Sequence, residues 1–287
     1  MRLLRQFVMK ASSMSKIIKD PITGIEVVGP NWPLSSRIKA FTTTRKGGVS
    51  VGDFAGLNFG LSTADNPQDV NANRDLLYRA LKIPHNSFYL TQIHSNLCVP
   101  IMPEWNHAGA DASYTDQANT PSVILTADCL PVLIANRKET IVSGIHAGWR
   151  SLLMDIIENS VSMLDENPEE LFVWLGPAIS QKAFEIGPEV ASAFRYRNTL
   201  LHQLPEAERN PEGLFIPSVN AGKLYADIYE LARLRLRNLG VPESQIYGGD
   251  LCTYSDPEYF YSYRRDGNRS GRMASFIWID DSINTQI

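Results

Sequence analysis

Three segments of the chain carry residue types that can do chemistry together. They are TQIHSN with His94, TADCLP with Cys129 and GIHAGWR with His146, separated by 35 and 17 positions. A zinc finger brings its ligands in close pairs, so these intervals exclude one. They suit donors carried to one point by separate strands or strand ends. Three protein donors with a fourth position open is how catalytic zinc is usually held, and a thiolate with two imidazoles also suits copper. A single cysteine in an apolar run is most often a small buried hydrophobe. Cys129 differs in having Asp128 beside it, a group costly to bury unpaired. The small residues Ala147 and Gly148 after His146 let backbone or ligand come close. The same pair fits a Cys–His hydrolase with Cys129 as nucleophile and His146 as base, and spacing leaves both chemistries open. His85, His107 and His202 lie in polar, loop-like contexts and receive no role; Cys98 and Cys252 read as structural.

The elements that must position these residues are legible in the surrounding pattern. Short apolar runs at 123–127, 131–135 and 140–145 predict strands covered on both faces, and a further strand is expected over 171–176. Asn66 as cap and Pro67 at the first helical position predict a helix to Ile83. The spacing predicts helices over 152–164 and from Ser218 to Leu239, the latter with Leu224, Ile228, Leu231 and Leu239 inward. Arg233, Arg235 and Arg237 then read as a solvated helix face. Two late strands, 259–263 and 273–279, flank RRDGNRSGR. The stretch from Arg45 to Gly60 holds five glycines, too many for a regular element, and implies backbone lying close to something. Strands and helices alternate irregularly, which predicts an α/β or α+β sandwich with mixed sheets. A loose tail is expected over 1–18 and a single catalytic domain over 19–287.

Composition narrows the function classes. A net charge of −4 from 27 basic and 31 acidic residues gives no basic footprint for nucleic acid. Three widely spaced cysteines do not make a disulfide scaffold, and imply a reducing, cytoplasmic compartment. No apolar run approaches a membrane span. Neither a dinucleotide-binding glycine turn nor a Walker A sequence is present.

FTTTRKGGVSVGDFAGLNFG, NRDLL, TQIHS, Asp111-Ala112, TADCLPVL, HAGWR, LGPAI, FEIG and FYSYRRDGNRSGRMAS occur in this order. Together they resemble the laccase-domain family, first called multicopper polyphenol oxidases. Its members are described as purine nucleoside phosphorylases with adenosine deaminase activity, and as peptidoglycan editing factors. The resemblance covers nearly the whole chain. It implies a layered α/β sandwich similar to putative cysteine hydrolases, and one zinc, or copper, on His94, Cys129 and His146. It implies that Arg265 is needed for activity and that Arg45 and Asn58 lie near the pocket. The expected substrates are adenosine, inosine or methylthioadenosine with phosphate. In that chemistry Arg265 and Arg45 are the candidate phosphate holders, and Asp128 either carries a proton or orients a ligand histidine. The alternative is an editing factor that hydrolyses a cell-wall precursor or monitors a cell-wall ligase. Five histidines cannot build the several copper sites of a true multicopper oxidase.

Overall fold

The computed structural model describes residues 15–281 apart from Pro21. Residues 1–14 of the expected tail lie outside the described residues, while Lys16–Lys19 already forms a strand. In chain order the strands are β1 (Lys16–Lys19), β2 (Glu26–Gly29), β3 (Ile38–Thr43), β4 (Phe88–Tyr89), β5 (Cys98–Pro100), β6 (Ala112–Thr115), β7 (Ser122–Thr126) and β8 (Leu130–Asn136). They continue as β9 (Val142–Ala147), β10 (Leu171–Leu175), β11 (Glu185–Ile186), β12 (Phe215–Pro217), β13 (Leu224–Ala226), β14 (Ile246–Gly248) and β15 (Met273–Ile279). The helices are α1 (Pro67–Leu81), α2 (Trp149–Leu153), α3 (Ile156–Met163), α4 (Pro188–Asn198), α5 (Glu206–Arg209), α6 (Ile228–Asn238) and α7 (Tyr263–Asp266).

Two six-stranded mixed sheets form the centre, one ordered β1-β2-β3-β15-β7-β4 and the other β14-β10-β8-β9-β6-β5. Strand parity assigns each side chain to a layer. Leu133, Ala135, Val142 and Trp174 of the second sheet pack against Met273, Ile277 and Ile279 of the first. Phe41, Val123, Phe276 and Trp278 on the far face of the first sheet meet Leu77 of α1. The far face of the second sheet, with Val132, Ile134, Ile145 and Val173, is covered by α2, α3, α4 and α6. The result is a four-layer α–β–β–α sandwich in which β8 and β9 are buried along their whole length, as their unbroken apolar runs predict.

The helix expected from Asn66 to Ile83 forms over Pro67–Leu81, with the Asn66 side chain accepting from the Gln68 N–H, and ends at Lys82 in a left-handed conformation. Four expectations are overturned. The helix over 152–164 is broken at Asp155, whose φ of 67° ends one segment and starts the next, with its carboxylate paired to Arg197. The helix expected from Ser218 starts only at Ile228, where the Asp227 carboxylate accepts from the Glu230 N–H. Leu224 instead belongs to β13, paired with β11 and β12. Tyr259–Tyr263 is no strand: backbone turns back onto the Asp256 carbonyl bury Phe260 and Tyr261, and α7 starts at Tyr263. Aromatic content imitated strand propensity there. Arg235 is not on a solvated face either; it is 1% exposed, with its Nε 3.7 Å from Glu158.

Candidate metal centre and cleft

His146 is the fifth position of the buried strand β9, and its neighbours follow from strand register. β8 places Pro131 on one side of it. On the other side, Asp111, just before β6, accepts the His146 backbone N–H at 2.7 Å. Cys129 occupies the turn between β7 and β8, beyond the residue that pairs with Ala147. His94 sits in the connection from β4 to β5 with φ 59°. The donor atoms of His94, Cys129 and His146 all lie within 4.8 Å of one another, and among the described residues no other group of three His, Cys, Asp or Glu does so.

The donor set fits a metal. Cys129 Sγ stands 3.8 Å from His94 Nε2, close to the separation of about 3.6 Å between sulfur and nitrogen ligands of a tetrahedral zinc. His146 Nδ1 donates to Asp111 Oδ1 at 2.7 Å, which leaves Nε2 free for an ion, the arrangement that fixes a ligand histidine's tautomer. Asp111 is fully buried and serves both histidines. Its carboxylate also accepts the backbone N–H groups of Ile93, His94 and Ser95 and the Ser95 hydroxyl. Burial would raise the Asp111 carboxyl, yet the bonds from His146 and Ser95 hold it below the usual carboxylate range.

Cys129 and His146 form a charge pair in the protein alone. Burial pushes the Cys129 thiol up, but the charge and hydrogen bond of His146, then those of His94, bring it down to about 6. Burial would likewise lower His146, and the Cys129 thiolate and Asp111 raise it to about 9. Thiolate is the reactive form, so alkylation of Cys129 in metal-free protein should accelerate with rising pH through a midpoint near 6. Mass-mapped iodoacetamide labelling at graded pH checks this; a midpoint near that of an ordinary thiol would contradict the pairing. Cys98, pushed up to about 12 by burial, should stay unlabelled across that range. Cys252 accepts the Ser180 N–H and stands outside the cluster.

Gly148 is the residue whose small size the centre requires. A Cβ there would lie 2.8 Å from His94 Cδ2, 3.2 Å from its Nε2 and 3.3 Å from Cys129 Sγ. Gly148→Ala should therefore weaken zinc binding about tenfold or more, as outer-shell changes at metal sites do, while the fold stays intact. Chelator competition beside a circular dichroism melt tests this, and wild-type zinc affinity would contradict it.

The triad opens into a cleft of about 750 Å³, within the usual size of small-molecule sites. Tyr89, Trp149, Phe184 and Tyr263 line it, with guanidinium groups from Arg74, Arg150, Arg264 and Arg272. Asp128 is the one acidic residue of the lining, and both its oxygens are engaged by Thr253 and the Arg264 N–H. The glycine-rich loop reaches the cleft indirectly. A Cβ on Gly48 would lie 2.6 Å from the Gly56 carbonyl oxygen and 2.7 Å from Asn73 Oδ1, so the close neighbours of this loop are its own backbone and α1. Buried Asn58 closes the path, its Oδ1 accepting the Arg272 N–H at 2.8 Å.

Arg265 and Arg45, the phosphate holders expected from sequence, stand outside the cleft lining. The Arg265 guanidinium turns inward, donating to the carbonyls of Thr253, Tyr254 and Phe260 and to Asp266. Successive residues of a helix point about 100° apart, so Arg264 faces the cleft and Arg265 does not. Arg45 lies over the Tyr261 ring at 4.6 Å and donates to Ala55 and Pro257 carbonyls, outside the cleft lining. Asp128 makes no bond to a ligand histidine; Asp111 does. Asp111, Arg272 and Arg74, the last on α1, all stand within quoted motifs but show no periodicity that marks them. Among the described residues no helix is long and apolar enough to cross a membrane.

Comparison with known proteins gives the family and its fold. The chain is 42% identical over 255 residues to the purine nucleoside phosphorylase YfiH of Escherichia coli, covering 88% of this chain and 99% of that one. It is 38% identical over 256 residues to the purine nucleoside phosphorylase of Haemophilus influenzae, covering 89% and 100%. Among solved structures, a Neisseria meningitidis protein superposes with a TM-score of 0.76 at 39% identity, covering 87% of this chain and 97% of that one. YlmD from Geobacillus stearothermophilus gives 0.79 at 28% identity, covering 89% and 96%. A family model described as multi-copper polyphenol oxidoreductase laccase matches residues 39–280, and with that span and these relatives the chain belongs to this family.

Proposed function

We propose that the cleft carries out metal-dependent phosphorolysis of purine nucleosides, with adenosine, inosine and methylthioadenosine as the substrate class and zinc as the metal. The observation that carries the reading is the His94–Cys129–His146 triad opening into a cleft lined by four arginines and a single acidic residue. The curated relatives named purine nucleoside phosphorylase support it. In phosphorolysis the bond from C1′ of the ribose to the purine breaks with its electron pair on the base. A phosphate oxygen forms the new bond to C1′, and the purine takes up a proton from solvent. Arg272 and Arg264 hold the phosphate, since a guanidinium forks onto its oxygens. Arg272 is anchored for this by its Nη1 on the Ser270 and Gly271 carbonyls and its N–H on Asn58. Burial lowers the Arg272 pKa and the charge of Cys129 opposes that; it stays a cation at neutral pH. Tyr89, Trp149, Phe184 and Tyr263 offer ring faces to the purine. His94, Cys129 and His146 would hold the zinc ion, which would supply Lewis acidity to the site. The same site serves deamination of adenosine, in which water replaces the C6 amino group and ammonia leaves.

The test separates the arginines. Arg272→Ala should raise the phosphate KM by about 10- to 100-fold, the loss of a charge-assisted fork, with zinc affinity unchanged. Initial rates at varied phosphate measure this, and an Arg272→Ala enzyme with wild-type phosphate kinetics would remove that residue from the anion site.

A further inference from the structure

Asp128 stands one residue before the ligand Cys129 and is 8% exposed. Its φ of 86° is a left-handed conformation that aspartate and asparagine adopt more readily than other side-chain-bearing residues. Oδ1 accepts the hydroxyl of fully buried Thr253 at 2.6 Å. Oδ2 accepts the backbone N–H of Arg264, also at 2.6 Å. The Asp128 carbonyl accepts the Ile179 N–H at 3.0 Å, and the Thr253 N–H donates to Ala178 at 3.0 Å. The Thr253 carbonyl in turn accepts Arg265 Nη1 at 3.0 Å. These bonds close a circuit from the Cys129 turn through residues 178–179 and Thr253 to α7. Both carboxylate oxygens are engaged by fixed donors of the surrounding fold.

We propose that Asp128, with Thr253, is a positioning residue: it clamps the Cys129 turn to α7 so that the thiolate donor and the Arg264 guanidinium keep one spacing across the cleft. The spacing is that between the metal and the phosphate, so this inference deepens the phosphorolytic reading and rests on it for its kinetic half. The zinc half stands on the geometry of the turn alone.

Two conservative variants test the clamp. Asparagine tolerates the left-handed backbone, accepts the Arg264 N–H through its carbonyl and donates its amide to the Thr253 oxygen, but carries no acidic proton. Thr253→Val keeps shape and removes the hydroxyl. With zinc-loaded enzyme, kcat and phosphate KM would be measured for each, and zinc affinity by competition with a chromophoric chelator. Asp128→Asn should stay within about threefold of wild type in kcat and zinc affinity. Thr253→Val should raise phosphate KM about tenfold with kcat within about threefold, and weaken zinc binding several-fold, as loss of outer-shell support does. A larger loss of kcat in Asp128→Asn with zinc affinity intact would make Asp128 a proton carrier and overturn the clamp. So would wild-type phosphate KM and zinc affinity in Thr253→Val. If wild-type enzyme shows no phosphorolysis, the phosphorolytic reading fails by itself. The zinc affinities of the two variants then decide the clamp, unchanged in one and lowered in the other.

Discussion

Cys129→Ala protein should bind zinc more than about 100-fold less tightly than wild type, and its nucleoside turnover should fall by about 10³-fold or more. The thiol is the one donor of the triad that binds as an anion, and the protein has prepared it for that state by lowering its pKa to about 6 against the cost of burial. Alanine leaves two imidazoles 4.8 Å apart between ring centres, and a neutral pair holds a dication poorly. Cys129→Ser keeps the size but offers a hydroxyl that does not ionise near neutral pH, so it should behave like alanine rather than like wild type. The metal measurement separates the two chemistries that spacing leaves open. A Cys–His hydrolase would lose activity while zinc affinity, if any, stayed the same; a metal triad loses both together. Equilibrium dialysis of zinc against the variant, followed by activity at saturating zinc, makes the comparison.

The second large effect belongs to a residue that touches no metal. Asp111→Ala should lower zinc affinity about 10- to 100-fold, the usual cost of removing an outer-shell partner, and should also destabilise metal-free protein by about 3 kcal/mol, because several buried donors lose their acceptor. Those donors are His146 Nδ1 and the N–H groups of Ile93, His94 and Ser95. One carboxylate thus sets the ring of one ligand and the backbone of another. Asp111→Asn should fall between wild type and alanine, since its carbonyl still accepts two of these bonds while its amide faces a donor. Urea unfolding of metal-free protein and chelator competition on the loaded form read the two effects separately. Wild-type zinc affinity in Asp111→Ala would show that the histidines hold their geometry without it.

How much of this was legible in sequence depends on whether the signal was local. The buried strands β8 and β9 were readable because continuous apolar runs report burial on both faces, and the α1 boundary because Asn66 and Pro67 are chemical caps. The His–Cys–His set was readable because the residues are rare in this chain and stand in small-residue contexts. The helix break at Asp155 was not, since a left-handed residue paired to Arg197 is fixed by a partner 42 positions away. Asp111 and Arg272 owe their placement to β6–β9 register and to Asn58, contacts that only the folded sandwich makes. Arg264 and Arg265 are adjacent in sequence, and only the direction of α7 decides which one faces the cleft.

Chromatography of purine products decides whether the triad and the arginine-lined cleft form a phosphorolytic site. Zinc-loaded wild-type protein would be incubated with adenosine, with and without phosphate, beside the Cys129→Ala variant. Purine base should be released only when phosphate is present, matched by ribose 1-phosphate, and none should come from the variant. Release of base at the same rate without phosphate, or no product from fully zinc-loaded protein, would contradict a phosphorolytic site.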